Sequence, residues 1–510
     1  MQLDWFEKWA FYSPNKVAIA DWDTQKKYTY RALNQLAEQA AYVLATAYNV
    51  QLSDRVALIA ENSVEHFILM SAAQKIGFIL APLNYRLSVP ELEQILEEIE
   101  PKLIIFEEKY AFEKLYSLKT NAFSLEGFRK EIENADFTLP RSLLLTPSEK
   151  NFELPLLLLF TTGSTGKPKG VIYTHKMAFW NSVNTALRLN LTSEDSTLNV
   201  MPLFHTGGWN VFCTPFLHHG ASFWITRKFV PEAALKCLSQ ANCTLFMGVP
   251  TMLQLMAKVP CFEAIDITSV RYILAGGEPC PIPLIDIWAQ KGIPIRQGYG
   301  MTEAGPSITS LHQDDALRKK GSIGTLNFYF EMRIVPDCSA SSIPTGGAEE
   351  GELWLRGPAV TPGYWNNDSA TEEAFEDGWL KTGDIVKKDE EGYLYVIDRK
   401  KNMFISGGEN IYPAEVERCI YTHPEVQEVI VIGVPDAKWG EVGIALAVKK
   451  KESALTPQQL LAHCEGRIAK FKIPKALYFV AELPKNEAGK LDRKKIKQQM
   501  ALFTSFNENV

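Results

Sequence analysis

Apolar and polar positions alternate along this chain in two rhythms. The short apolar run RVALIA (55–60) reads as a buried strand. SVEHFILMSAAQKIG follows with apolar residues at helical spacing and stops at Gly77, and FILAPLN is a second strand. Strand, helix and strand in that order make a β-α-β unit. The rhythm returns further on. ASFWIT, CTLFMGVP, VRYILAGGEP and PIRQGYG read as strands, separated by the helical segments PEAALKCLSQAN, TMLQLMAKV and PIPLIDIWAQKG. Such alternation predicts an α/β fold with mostly parallel sheets covered by helices on both faces. Ligands of such sheets sit at the carboxyl ends of the strands. Three glycine-bearing stretches, TTGSTGKPKG (161–170), AGGEP and GYGMTE, fall at such ends.

From about residue 320 the pattern changes to shorter β-rich pieces such as GELWLRG and GYLYVIDRK, which predict a barrel-like or hairpin-rich portion. DRKKNMFISGGENIYP then opens a last unit with a helix over 414–422, the strands EVIVIGVP and IALAVKK, and a helix from about 457. Charge shifts at the same place, to about +5 from Arg399 onward against about −12 before it. These changes place a large domain over 1–397, a connection at 398–401 and a small domain over 402–510. DCSASSIPTGGAEEG (337–351) reads as a surface loop.

Bulk properties narrow the function. A chain of 510 residues exceeds the usual size of one domain. Hydrophobic content of 46% with 22% charged residues is that of an ordinary globular protein. A net charge of −7 argues against a nucleic-acid partner. The N-terminal MQLDWFEKWAFYSPNK has no signal-peptide apolar block. No apolar run approaches the ~20 residues of a membrane span, since FILMSAAQKIGFILAPL is interrupted by Gln74 and Lys75. Eight scattered cysteines with no C-x-x-C pair read as reduced thiols of a cytoplasmic protein. None of the eight histidines forms H-E-x-x-H, which speaks against a zinc hydrolase.

TTGSTGKPKG packs three glycines, four hydroxyl side chains and two lysines behind the apolar run LPLLLLF. Glycine lets backbone N–H groups close on an anion, so the stretch reads as a phosphate loop. It is not a P-loop. That pattern requires glycine at position 161 and serine or threonine at 168, where this chain has Thr161 and Pro168.

Together with PLFHTGG (202–208), GGEP (276–279), GYGMTE (298–303), KTGD (381–384), DRKKNMFISGGENIYPAEVE (398–417) and PKNEAGKLDRKKI (484–496), this loop resembles the signatures of the adenylate-forming superfamily, in the superfamily's order. The superfamily holds acyl-CoA synthetases, peptide-synthetase adenylation domains and luciferases. The resemblance covers nearly the whole chain. It implies a large N-terminal part of two α/β subdomains and a small β-barrel, followed by a mobile α+β lid. It also implies a two-step reaction, in which a carboxylate attacks the α-phosphate of ATP and a thiol, usually that of CoA, then attacks the acyl-adenylate.

The resemblance assigns roles residue by residue. Thr161, Thr162, Gly163, Ser164, Thr165 and Gly166 would grip the phosphates that leave as pyrophosphate, with Lys169 adding charge or anchoring the loop. Thr302 would bond the α-phosphate, and Glu303 would hold Mg²⁺. Tyr299 and Gly300, with Gly276, Gly277 and Glu278, would bracket the adenine. Asp384 would take the ribose hydroxyls, assisted by Arg399. Lys490 would bridge the attacking carboxylate and the α-phosphate. Lys401 occupies the hinge position, where Lys or Asp is usual; Asn402 departs from the more usual Asp. Gly407 and Gly408 would face the pantetheine arm of CoA once the lid has turned, and His205 would stand between the acyl site and the thiol tunnel. The aromatic and aliphatic stretch TGGWNVFCTPFLHHGASFW predicts an apolar acid. A medium- or long-chain fatty acid is the leading expectation. A coumarate- or succinylbenzoate-type aryl acid is the alternative, and a carrier protein could replace CoA as acceptor. A homodimer is also expected.

Overall fold

The strand and helix expectations above hold element by element in a computed structural model. It describes residues 3–111, 121–134, 140–146, 148–149, 151–162, 168–336, 349–406, 409–436, 438–451, 453–485, 491–493 and 495–500. RVALIA forms the strand Arg55–Ile59, and the following helix spans Glu65–Ile76. That helix stops at Gly77, whose φ of 80° is left-handed and therefore suits glycine. Ile79–Leu83 returns parallel to Arg55–Ile59. The six-stranded sheet built on this unit runs Asn121–Ser124, Leu103–Phe106, Arg55–Ile59, Ile79–Leu83, Pro155–Thr162, Pro168–Thr174. Only its last pair is antiparallel.

A four-stranded sheet runs Lys27–Thr29, Val17–Asp21, Ser222–Ile225, Ser196–Asn199. A third sheet sets Leu245–Gly248, Tyr272–Ala275 and Ile295–Tyr299 in parallel and ends in two short antiparallel strands. Every residue of Glu65–Ile76 is buried, the polar and charged ones included. Its charged ends are satisfied inside the protein. Arg129 Nη2 meets Glu65 Oε2 at 2.8 Å, and Lys75 pairs with Asp4 and donates to Asn34 Oδ1 at 2.8 Å. Among the described residues no helix is long and apolar enough to cross a membrane. The seven described cysteines are free thiols.

The chain divides into two compact units. The first holds 1–320, 324–331 and 356–380; the second holds 321–323, 332–355 and 381–510. The stretch 398–401 lies within the second unit. There Asp384–Lys388 pairs antiparallel with Leu394–Arg399. A further sheet orders Glu409–Ile411, Phe404–Ser406, Gly440–Lys449 and Val426–Asp436, with Ala476–Phe479 added parallel to Gly440–Lys449. The expected helices are Pro413–Tyr421 and Pro457–Cys464, each opening on the proline that suits a first helical turn.

Candidate active site

In the first unit, the expected phosphate loop joins two antiparallel strands. Thr161 lies opposite Lys169 and Thr162 opposite Pro168. The stretch therefore leads from strand to strand, whereas a P-loop leads from strand to helix. Thr161 Oγ1 reaches the Lys169 carbonyl at 3.5 Å. Gly163, Ser164, Thr165, Gly166 and the Thr162 side chain lie outside the described residues. The Lys169 ammonium sits 5.0 Å from the centre of the Tyr364 ring.

The other two glycine stretches leave adjacent parallel strands, Tyr272–Ala275 and Ile295–Tyr299. Gly277 is left-handed with φ 85°. Tyr299 is half-buried, as are Gly276 and Glu278. The Gln297 side chain accepts from Cys280 N at 2.9 Å, which ties the GGEP loop to the neighbouring strand end. Beyond Tyr299 the chain makes a single helical turn, Thr302–Ala304. Gly300 has no room for a side chain, because a Cβ there would stand 1.5 Å from the Pro306 carbonyl oxygen. Gly300→Ala is therefore expected to cost about 1–3 kcal/mol of stability, since it forces a Cβ against backbone. A variant that melts with the wild type would show that the turn relaxes freely.

Glu303 is buried, with 8% of its surface exposed. Its carbonyl accepts from Thr361 N at 2.8 Å, and its Oε1 accepts from the Tyr364 hydroxyl at 2.9 Å. Burial, reinforced by the Glu303 charge, raises the Tyr364 phenol above its ordinary range. Asn181, fully buried, accepts from Ser307 N at 3.1 Å and donates to the Asn210 carbonyl at 2.6 Å. It thereby joins the turn carrying Thr302 and Glu303 to the helix Thr206–Asn210, which His205 precedes. The His205 ring lies 4.7 Å from that of Phe204. Asn62 holds the same loop by accepting from Leu203 N at 2.9 Å and donating to the Met201 carbonyl at 3.0 Å. Asn181 thus ties the segment after the Thr302–Ala304 turn to the helix that His205 precedes.

In the second unit, Asp384 and Arg399 are direct partners across antiparallel strands, with Arg399 Nε 2.9 Å from Asp384 Oδ1. The Asp384 side chain is 4% exposed and that of Arg399 52%. Asp398 anchors the stretch that follows. Its Oδ1 accepts from Arg399 N at 2.6 Å and Asn402 Nδ2 at 3.0 Å, and its Oδ2 from Ala414 N at 2.7 Å. An amide donates to the buried Asp398 carboxylate, where a second carboxylate would be repelled. Partial desolvation, then the Arg399 charge, lowers the ammonium of the exposed Lys401 below its ordinary range. Gly407, Gly408 and Lys490 lie outside the described residues.

Residues 6–365 match the family described as AMP-binding enzyme, and 415–490 match its C-terminal domain. The chain belongs to the AMP-binding enzyme family. It is 36% identical over 501 residues to a feruloyl-CoA synthase of an Amycolatopsis species, covering 97% of this chain and 98% of that protein. It is 34% identical to a long-chain-fatty-acid–CoA ligase of Mycobacterium tuberculosis, covering 96% of each chain. Among solved structures it resembles the o-succinylbenzoate CoA synthetase of Bacillus subtilis in complex with ATP and magnesium ion. That match has a TM-score of 0.85 and 31% identity, covering 97% of this chain and 99% of the other. The chain is accordingly an enzyme, a ligase of the acyl-CoA synthetase kind.

Several features of this AMP-binding enzyme were invisible to sequence reasoning. Tyr364, Thr361, Asn181 and Asn62 lie far along the chain from the signatures they support and carry no periodic signal. Conversely, Trp209, Phe212, Phe216 and Leu217, which made the acid look apolar, are core residues. Trp209 donates to the Leu203 carbonyl. These side chains pack in the same core cluster as Met201 and Met247. A divalent cation suits the donors at Glu303. Among the described residues no cationic side chain pairs with this buried carboxylate, and no cluster of three or more ligating side chains forms a cage. One carboxylate plus phosphate oxygens is the donor set that Mg²⁺ favours.

Proposed function

We propose that this AMP-binding enzyme joins a carboxylic acid with an aromatic body to CoA through an acyl-adenylate. The observation that supports an aromatic acid is the surface at Gly207. A Cβ there would meet only the methyl groups of Met201 at 3.6 Å and Met247 at 4.0 Å. Glycine leaves room at that position, and thioether methyl groups pack well on a flat ring. The feruloyl-CoA synthase relative points the same way.

Both reactants of the first step are anions, so catalysis is mostly positioning and charge stabilisation. In this reading the hydroxyls of Thr161, Thr162, Ser164 and Thr165, with backbone at Gly163 and Gly166, hold the β- and γ-phosphates. Lys169 holds charge beside them, and Thr302 donates to the α-phosphate. Glu303 holds Mg²⁺, which when bound screens the phosphate charge and orients the leaving group. Tyr299 and Gly300, with Gly276, Gly277 and Glu278, line the adenine. Asp384, its charge shared with Arg399, accepts from the ribose hydroxyls. Lys490 draws the acid's carboxylate oxygen onto the α-phosphorus as the bond to pyrophosphate breaks. Rotation at Lys401 then brings Gly407 and Gly408 to the pantetheine arm, His205 borders its path, and the CoA sulfur displaces AMP from the acyl carbon.

The test is a panel of cinnamate-type, arylacetic and succinylbenzoate acids against C4 to C18 fatty acids. Each is supplied with ATP, Mg²⁺ and either CoA or a carrier protein, and both AMP and thioester are measured. An aryl acid with CoA is expected to exceed every alkyl acid at least tenfold in kcat/KM, about 1.4 kcal/mol of transition-state binding. A maximum among the C8 to C18 acids would instead favour the fatty-acid reading, which the Mycobacterium tuberculosis relative supports. Thioester formed only on carrier protein would replace CoA as the acceptor.

A further inference from the structure

We propose that Tyr364 is a positioning residue that couples the two phosphate-binding elements of the site. It holds the Glu303 carboxylate with its hydroxyl and seats the Lys169 ammonium on its ring. The inference rests on reading the site as an ATP site.

The backbone around Tyr364 is laid between the two elements and fixed to both. On one side Thr361 N donates to the Glu303 carbonyl at 2.8 Å. On the other, Thr361 Oγ1 donates to the Ile172 carbonyl at 2.7 Å, Ile172 N donates to the Gly363 carbonyl at 3.1 Å, and Trp365 N donates to the Gly170 carbonyl at 2.7 Å. Tyr364 itself bridges Val171 in antiparallel register. Its own N–H donates to Thr371 Oγ1 at 3.0 Å. Gly363 allows this path, with φ 150° and a would-be Cβ only 2.6 Å from Thr371 Cγ2. The side chain therefore leaves a backbone that cannot drift relative to either element.

Two contacts then follow from one ring. The hydroxyl donates to Glu303 Oε1 at 2.9 Å, which fixes the carboxylate's rotation and directs its other oxygen. Partners that orient a metal-binding carboxylate in this way commonly matter to metal affinity as much as tenfold or more. The ring face lies 5.0 Å from the Lys169 ammonium, within the range of cation–π attraction, and restricts a flexible side chain to one region. Phenylalanine would keep the second contact and lose the first; leucine would lose both. The two functions of the residue are thus separable by substitution.

Equilibrium binding of a fluorescent ATP analogue is titrated with Mg²⁺, without acid or CoA, for the wild type, Y364F, E303Q and the double variant. The Mg²⁺ midpoint of Y364F is expected about tenfold above wild type, whereas the double variant should behave as E303Q alone, because Tyr364 acts through Glu303. Y364L should in addition weaken binding of free pyrophosphate several-fold relative to Y364F. Thr371→Val, which withdraws the acceptor from the Tyr364 N–H, should move the Mg²⁺ midpoint in the same direction by a smaller factor. It serves as the deciding variant should Y364F fold poorly. A Y364F or T371V midpoint equal to wild type, or a Y364F shift that persists beside E303Q, would overturn the coupling while leaving the ATP site intact. A wild type that binds the analogue with no dependence on Mg²⁺ would remove the site reading, and the inference with it.

Discussion

Lys490→Ala is expected to slow acyl-adenylate formation by about 10²–10³-fold, the effect of removing one charge-stabilising donor from a site built for a developing anion. The same variant should convert a supplied acyl-adenylate and CoA to thioester at the wild-type rate, because in the proposed role this cation acts on the first step alone. Its melting temperature should also match wild type. Two neighbouring basic residues have other occupations. Lys485 pairs with Glu428 at 2.7 Å, and Arg493 is committed to Glu417. Lysine suits the task as a compact charge on a flexible stem. Acid-dependent pyrophosphate release measures the first step, and mixing adenylate with CoA measures the second. Equal loss in both steps, or loss in neither, would remove Lys490 from the proposed role.

Arg493→Ala should have the opposite signature, a large loss of stability in the second unit. Arg493 Nη2 lies 2.6 Å and 2.7 Å from the two Glu417 oxygens, and Nη1 donates to the Val431 carbonyl at 2.7 Å. Glu417 Oε1 also accepts from Val431 N at 2.7 Å. Burial pushes the Glu417 carboxyl up, and the Arg493 guanidinium works against that shift. Removing the guanidinium leaves an uncompensated, largely buried carboxylate, which costs about 2–4 kcal/mol once partial exposure is allowed for. The pH dependence has a definite sign. A carboxyl whose folded pKa is raised destabilises the fold where it is ionised, and the penalty fades as pH falls through the folded pKa toward the ordinary ~4.3. The stability gap between wild type and variant should therefore be widest at neutral pH and narrow on acidification. Denaturant unfolding at several pH values, with hydrogen exchange on Val426–Asp436, measures it. A gap that is absent, or that widens in acid, would show that the pair contributes little.

The strands and helices were legible because burial imposes a period on the sequence. RVALIA, FILAPLN and EVIVIGVP are apolar because their strands are buried, and Gly77 marks a helix end that needs a left-handed residue. Much of the candidate site was legible for a related reason. Backbone that approaches backbone excludes side chains, so Gly300 and its neighbours leave a trace in the sequence even before packing is known. The apolar stretch after His205 told less, because a buried aromatic reads the same in sequence whether it faces a ligand or the core.

By itself, the sequence determined the order of elements, the two-part organisation by charge and pattern, and the residues with chemistry to offer a phosphate, a ribose or a metal. Tertiary structure alone decided which of them became partners. Tyr364 reaches Glu303 across 61 positions, and Thr361 reaches Ile172 across 189. Asp398 selects an amide at Asn402, and Asp384 takes Arg399. Local pattern records how deeply a residue is buried and what its backbone must do. A hydrogen-bond partner far along the chain leaves no such record, because it is fixed only when the loops between have closed.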